Sequence, residues 1–409
     1  MKIATSPLAP AGFPDMPAVP GLHLATAAAG IRYKGRDDVL MAALPEGATI
    51  AGVFTRSAIC GAPVDWCREH LAQGSARAIV ANAGNSNVFT GAAGQQATST
   101  TAKAAAEALG CGEEQVFLAS TGVIGERMDA TKIAAVLPGM VAASPVGWET
   151  AARAIGTTDT FPKGASARAK IGDATVTIAG IAKGSGMIAP DMATMLSFIF
   201  TDAKLPAEVL QSALNRATAV SFNCITVDSD TSTSDTILLA ATGATEHPVI
   251  GEFNDRNLSD FKDKLTQVLT DLAQQVVRDG EGARKFISVS VKGAASNRSA
   301  RKVGLSVANS PLVKTAIAGE DANWGRIAMA VGKSGERVVR DSLGISIGGV
   351  LVARAGAAVD GYDETPVAAH LKGDEIDIEI DLGIAWGAAT VWTCDLTHAY
   401  IDINADYRS

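Results

Sequence analysis

The sequence is poor in cysteine and histidine, and neither residue type is spaced for a metal site. Only five cysteines occur among 409 residues, and none of them forms a Cys-X-X-Cys pair. An odd number of widely spaced cysteines argues against a disulfide framework and indicates reduced thiols. The five histidines are equally scattered, with no pair at the short spacings that zinc sites use. We therefore expect no bound metal ion.

Basic residues and long apolar runs are also scarce. Thirty-five lysines and arginines stand against 43 aspartates and glutamates, a formal net charge of −8, which does not favour binding to nucleic-acid phosphates. No apolar stretch approaches the roughly 18 residues that span a bilayer. Three prolines interrupt the first 16 residues, unlike the apolar centre of a signal peptide. We expect a cytoplasmic protein with no nucleic-acid or membrane partner.

Helical and strand patterns alternate along the whole chain. The hydrophobic fraction of 47% is enough for a large core. Segments 98–109, 129–141 and 261–276 have helical patterns, and glycines at 110 and 280 follow two of them. Strand patterns occur at 50–55, 78–81, 116–119, 175–181, 286–291 and 376–380. This interleaving predicts an α/β or mixed α+β fold.

One segment, 180–203, stands out because a glycine-punctuated loop precedes a strand that is apolar on both faces. The loop comprises Lys183 to Gly186, and the strand pattern begins near Thr194. A threonine in this place could attack the Ala193 carbonyl and be released as a new N-terminus. Its α-amine, with an ordinary pKa of about 7.7–8.0, could then act as the base for its own hydroxyl. The pattern alone also fits an ordinary β-forming threonine.

The same segment carries a family resemblance. Lys183-Gly-Ser-Gly-Met-Ile and Pro190-Asp-Met-Ala-Thr-Met-Leu resemble the autocleavage region of the ornithine acetyltransferase family, the bifunctional glutamate N-acetyltransferases/amino-acid acetyltransferases. Further stretches resemble this family in the same order: 82–87, 120–125, 157–163, 225–235, 277–283, 310–316 and 403–409. Together these motifs span nearly the whole chain beyond about residue 21. Small departures at 85–89 and 155–156 touch no residue to which the resemblance gives a role.

The resemblance implies an N-terminal-nucleophile-type acyltransferase that cleaves itself between Ala193 and Thr194. An alpha chain, 1–193, and a beta chain, 194–409, would stay associated, and two of each would assemble. Thr194 would be the nucleophile, with Thr121 and Gly122 stabilising the oxyanion. The turn Ser-Thr-Gly suits that role, since a glycine admits close backbone approach and a hydroxyl adds a donor, although it could equally be a plain turn.

The resemblance also implies a set of substrate contacts: Thr157, Lys183, Thr194, Glu281, Asn404 and Ser409. Lys183, as a cation in a glycine loop, could bind a substrate carboxylate. Of the adjacent hydroxyls at 157 and 158, Thr157 is preferred. Glu281 could pair with the substrate amine or with Arg284. Asn404 and Ser409 require the C-terminal tail to fold back to the site.

The expected activity is acetyl transfer from N2-acetylornithine to glutamate in arginine biosynthesis, through an acetyl-threonine intermediate. No cofactor is implied, and acetyl-CoA is left open as a second acetyl donor. An amidase or aminopeptidase of the N-terminal-nucleophile type would use the same nucleophile with water as acceptor. An uncleaved small-molecule-binding protein that uses the Lys183 loop is the alternative without catalysis.

Overall fold

The computed structural model describes residues 4–189 and 195–405, and it confirms a mixed α/β fold. The strands in these ranges are β1 (His23–Ala27), β2 (Val39–Ala43), β3 (Thr49–Phe54), β4 (Ala78–Asn85), β5 (Val116–Val123), β6 (Lys163–Ile171), β7 (Ala174–Lys183), β8 (Leu196–Thr201), β9 (Thr236–Ala241), β10 (Phe286–Ala294), β11 (Gly344–Ile347), β12 (Val350–Arg354), β13 (Ala357–Ala358), β14 (Glu375–Asp381) and β15 (Gly387–Cys394). The helices are α1 (Ala62–His70), α2 (Ala92–Leu109), α3 (Ala130–Ala142), α4 (Trp148–Ile155), α5 (Ala207–Ala219), α6 (Ser259–Arg278), α7 (Asn297–Ala308), α8 (Pro311–Ala318), α9 (Trp324–Gly332), α10 (Thr365–Leu371) and α11 (His398–Asn404).

Within the described ranges the strands form three sheets. Their orders are β1-β2-β4-β5, β3-β9-β8-β7-β6 and β13-β12-β11-β14-β10-β15. Most neighbouring strands are antiparallel, whereas β4 with β5, β8 with β9, and β10 with β14 are parallel. None of the helices in these ranges is long and apolar enough to cross a membrane.

Two of the sheets, β1-β2-β4-β5 and β3-β9-β8-β7-β6, stack face to face between outer helices. Alternate residues of β4 and β5, such as Ile79 and Phe117, meet Phe198 of β8 in one core, to which α4 also contributes. The opposite residues, such as Val80, pack on α2 and α3. The other face of β8, through Ile199, packs on α5 and α6. Because side chains alternate across a strand, each sheet serves two cores at once.

The local predictions agree with this fold to within a few residues. The 98–109 pattern lies in α2, which ends at Gly110 with a φ of 64°, the left-handed conformation that glycine adopts without strain. The 129–141 pattern lies in α3, whose first N–H groups are capped by the Asp129 carboxylate. The 376–380 pattern lies in β14, where buried and exposed residues alternate strictly.

Two local predictions were wrong. The turn expected at Ser120-Thr-Gly lies inside β5, because the parallel pairing of β5 with β4 continues through Gly122. Lys183 is the last residue of β7 rather than a loop residue, and it pairs with Leu196 of β8. The following Gly-Ser-Gly sequence suggested a loop that begins one residue too early. A lysine at this strand end is therefore held inside the protein by the sheet.

The central sheet joins the two parts of the chain on either side of the predicted cleavage point. β3, β6 and β7 precede residue 193, while β8 and β9 follow residue 194. Every residue of β8 is buried. The boundary itself stays a prediction, but separating segments 1–193 and 194–409 would expose both faces of this sheet to water.

Candidate active site

A cavity of about 320 Å³ lies where the ends of β5 and β7 meet several connecting segments and α11. Six of the sequence-predicted site residues line it, and they come from parts of the chain far apart in sequence. They are Thr121, Gly122, Thr157, Lys183, Glu281 and Asn404. The cavity is lined further by small hydroxyl residues, among them Ser86, Ser185, Ser232, Thr233 and Ser234.

Thr121 and Gly122 lie near the end of β5, where that strand runs parallel to β4. Gly122 has a φ of 133°, and a Cβ atom there would lie only 2.3 Å from the Gly84 carbonyl carbon. Only glycine can therefore occupy position 122 without a shift of one strand. This close backbone contact fixes the path of β5 at Thr121 and Gly122, and both residues line the cavity.

Lys183 is a buried cation, with 4% of its surface exposed. Its Nζ atom lies 3.5 Å from Thr157 Oγ1, and within the described ranges no carboxylate comes within 4.0 Å of it. Burial lowers the pKa of Lys183, an effect that the negative charges of Asp159, Asp235 and Glu281 oppose. An ammonium group with so few direct partners can bind an anionic ligand group.

Glu281 faces the same cavity and is also buried. Its Oε2 atom accepts a hydrogen bond of 2.8 Å from Asn404 Nδ2, and burial raises the pKa of its carboxyl group. The alternative partner Arg284 instead lies 3.9 Å from the Asp395 carboxylate. Glu281 is thus held by a neutral amide, which leaves its negative charge available to a cationic ligand.

The tail helix α11 brings Asn404 to the site although none of its residues is buried. Thr397 Oγ1 donates a 2.7 Å hydrogen bond to the Gly282 carbonyl, and the Tyr400 hydroxyl lies 3.4 Å from Asp228 Oδ2. The C-terminal segment therefore folds back over the cavity as far as residue 404. Polar contacts, rather than an apolar face, hold it there.

Three predicted residues, Ala193, Thr194 and Ser409, lie outside the described residues. On the C-terminal side of the first gap, the Met195 N–H donates a 2.9 Å hydrogen bond to Asp235 Oδ1. Asp235 is completely buried, and this burial raises the pKa of its carboxyl group well above the ordinary value. Sequence reasoning gave Asp235 no role, although it ends the 225–235 motif.

The two threonines that the sequence left as alternatives both line the cavity. Thr157 Oγ1 is the neighbour of Lys183, whereas Thr158 Oγ1 shares a 2.6 Å hydrogen bond with Ser185 Oγ. The preferred residue, Thr157, is therefore the one that stands beside the buried cation. Its role as a substrate ligand remains a prediction.

A family model and related sequences identify one family. The model of the ArgJ family matches residues 23–409. The arginine biosynthesis bifunctional protein ArgJ of Nitrobacter winogradskyi is 58% identical over 417 residues, which cover both chains completely. A crystal structure of arginine biosynthesis bifunctional protein ArgJ from Bacillus halodurans is 42% identical and covers 52% of this chain and 99% of its own, with a TM-score of 0.49. Ornithine acetyltransferase from Mycobacterium tuberculosis, complexed with ornithine, is 34% identical over 42% of this chain and 93% of its own, with a TM-score of 0.36.

Proposed function

The chain belongs to the ArgJ family, and from this premise we propose that it transfers the acetyl group of N2-acetylornithine to glutamate through an ester on Thr194. The protein is an acyltransferase of arginine biosynthesis. The observation that carries the finer proposal is the single cavity that collects Thr121, Lys183, Glu281 and Asn404 from across the chain. A cation, an anion and a candidate pair of oxyanion donors are the groups that suit an acetylated amino acid.

The nucleophile is first made by self-cleavage. The Thr194 hydroxyl attacks the Ala193 carbonyl carbon, the amide becomes an ester, and water hydrolyses that ester. The products are a carboxylate on Ala193 and a free α-amine on Thr194. With an ordinary pKa of about 7.7–8.0, roughly a tenth to a sixth of such an amine is unprotonated at pH 7, and this form can take the proton of the neighbouring hydroxyl.

Acetyl transfer then proceeds in two half-reactions. The Thr194 hydroxyl oxygen attacks the acetyl carbonyl of N2-acetylornithine, and its proton passes through the α-amine to the leaving nitrogen of ornithine. The α-amine of glutamate next attacks the acetyl ester and restores the hydroxyl. In both steps Thr121 and Gly122 donate hydrogen bonds to the oxyanion, which stabilises charge that develops only in the transition state.

Lys183 and Glu281 orient the substrate in this proposal. Lys183, with Thr157 beside it, holds the α-carboxylate that donor and acceptor share. The α-nitrogen of N2-acetylornithine is an uncharged amide, so its only cation is the side-chain ammonium group. Glu281 is the cavity carboxylate that can pair with it, and Asn404 fixes the direction of that carboxylate.

The working enzyme in this proposal is cytoplasmic and contains chains 1–193 and 194–409, two of each. The shared central sheet supports continued association of the two chains, because β7 and β8 are neighbours that pair over six residues. Ser409 completes the substrate contacts, and no cofactor takes part. Acetyl-CoA remains a candidate second donor for the same ester.

Two measurements test this function. A denaturing gel with N-terminal sequencing should show a fragment that begins at Thr194, and active enzyme that contains only full-length chain would contradict self-cleavage. Mixing the enzyme with N2-acetylornithine alone should add one acetyl mass to the Thr194 fragment, and glutamate should remove it as N-acetylglutamate. Release of acetate at the same rate without glutamate would instead indicate a hydrolase.

A further inference from the structure

A buried ionic cluster lies directly behind the cavity. Lys163 is completely buried, and its Nζ atom lies 2.6 Å from Asp159 Oδ1, 2.6 Å from Asp279 Oδ2 and 3.2 Å from the Phe161 carbonyl oxygen. All three hydrogens of the ammonium group therefore have an acceptor. These hydrogen-bond acceptors are required, because a buried charge without partners is strongly destabilising.

The two carboxylates of this cluster hold different parts of the chain. Asp159 Oδ2 accepts a 3.0 Å hydrogen bond from the Thr157 N–H, and Asp159 Oδ1 accepts one of 2.7 Å from the Gly184 N–H. Asp279 instead accepts a 2.9 Å hydrogen bond from the Thr160 N–H, and a second from the Thr160 hydroxyl. Asp159 thus fixes the main chain at Thr157 and at the peptide that follows Lys183, while Asp279 touches neither.

The charges of the cluster do not balance by themselves. One lysine and two aspartates leave an excess of one negative charge beside Lys183, which has no carboxylate within 4.0 Å among the described residues. After desolvation, Asp159 is the largest influence on the pKa of Lys183, and it opposes the lowering by burial. The other charged groups that face Lys183 are Lys163, Asp235 and Glu281.

We propose that Asp159 is a positioning residue for substrate binding: it holds Thr157 and Lys183 in one rigid arrangement and supplies the counter-charge of Lys183 from behind the cavity. An ion pair in the cavity would occupy the ammonium group that the substrate needs. Asp159 does not line the cavity, so its carboxylate leaves the Lys183 ammonium group open to the substrate and still offsets its charge. The inference rests on the proposed function, because it assigns the α-carboxylate of the substrate to Lys183.

The chain offers a matched pair of variants to test this role. Asp159→Asn and Asp279→Asn each remove one negative charge from the same buried cluster and leave the side-chain size unchanged. A merely structural role predicts that both variants lose stability and otherwise behave alike. A positioning role predicts that only Asp159→Asn changes how substrate binding depends on pH.

The measurement is KM for N2-acetylornithine at saturating glutamate, from about pH 6 to about pH 10, together with kcat. The α-nitrogen of this substrate does not titrate, and its side-chain ammonium group titrates in the same way with every variant, so the differences between variants report on the protein. In the wild type, KM should rise as the pH passes the pKa of Lys183 and its ammonium charge is lost. Loss of a nearby opposite charge typically lowers a lysine pKa by about 1 to 3 units, so the rise should begin at a pH at least about one unit lower in Asp159→Asn. In Asp279→Asn the midpoint should stay close to that of the wild type, because Asp279 is not among the charged groups that face Lys183.

The outcomes separate the inference from the function it rests on. The positioning role would be overturned if the pH midpoint of the KM rise were the same in Asp159→Asn and the wild type, or if it shifted equally in both variants. If the wild type transfers no acetyl group, the proposed function fails first. If Asp159→Asn does not fold, Asp159→Glu keeps the charge but changes the reach. Asp159→Glu should raise KM and leave the pH midpoint of the KM rise unchanged. A midpoint lowered by about one pH unit would refute the role of the charge.

Discussion

Replacing Gly122 by alanine tests the candidate oxyanion donors most directly, because the structure shows what the added methyl group would meet. The new Cβ atom would lie 2.3 Å from the Gly84 carbonyl carbon and 2.6 Å from the Asn85 nitrogen. An ordinary contact is about 3.4 Å or more, so β4 and β5 would have to separate by about 1 Å here. The φ of 133° adds strain of about 1–3 kcal/mol for any residue other than glycine.

The expected effect on catalysis follows from that displacement. Removing one preorganised oxyanion donor lowers kcat about 100- to 1000-fold, and an error of about 1 Å in position can cost about 100-fold. We therefore expect Gly122→Ala to slow acetylation of the enzyme by at least about 100-fold. The assay is a single turnover with N2-acetylornithine, followed by the mass of the Thr194 fragment over time.

Gly125→Ala is the matched control. Gly125 follows in the same motif with a positive φ of 84°, but a Cβ atom there would have no atom within 4 Å. It carries the backbone strain without the steric contact, so its acetylation rate should stay within about threefold of the wild type. If Gly122→Ala folds and acetylates within twofold of the wild type, or if both variants slow equally, the close approach of the strands has no catalytic purpose.

Four further substitutions, at three positions, test the remaining roles. Thr121→Ala should slow both half-reactions about 100- to 1000-fold with less effect on KM, and turnover within twofold of the wild type would leave Thr121 with no catalytic role. Thr194→Ala should show no self-cleavage on a gel and no acetyl transfer in a transfer assay. Thr194→Ser should cleave itself and keep reduced activity. An acetyl adduct found only on the 1–193 fragment would refute the nucleophile. Lys183→Met should raise KM for N2-acetylornithine about 10- to 100-fold, since a hydrogen bond to a charged group is worth about 1.5–3 kcal/mol, and an unchanged KM would place the substrate carboxylate elsewhere.

Much of the local structure could be predicted from the chain because its causes are local. The exact alternation of charged and aliphatic residues at 375–382 specifies a strand with one buried face, and β14 has that form. Gly110 marks a helix end because only the left-handed conformation continues the chain there. The family resemblance added residues such as Thr121 and Glu281, which no periodicity identifies.

Other features could not be predicted because their causes lie far away in the sequence. Lys183 is a strand residue because β8 pairs with β7 up to that point, and the glycines beside it gave no sign of this. Lys163 and Asp279 are 116 residues apart, and each looks like an ordinary surface charge by itself. Burial turns them into an obligatory pair, and only the packing of α6 against the central sheet decides that burial.

The sequence by itself determined the fold class, the family and the residue types of the candidate site, because periodicity, turn chemistry and collinear motifs are written along the chain. Only the tertiary structure decided which of these residues share a cavity. Thr121 and Asn404 are 283 residues apart in the sequence, yet the stacked sheets and the returning tail helix place both in the lining of one cavity. Distance, burial and the field of neighbouring charges arise from that packing, and they set what Lys183 and Glu281 can bind.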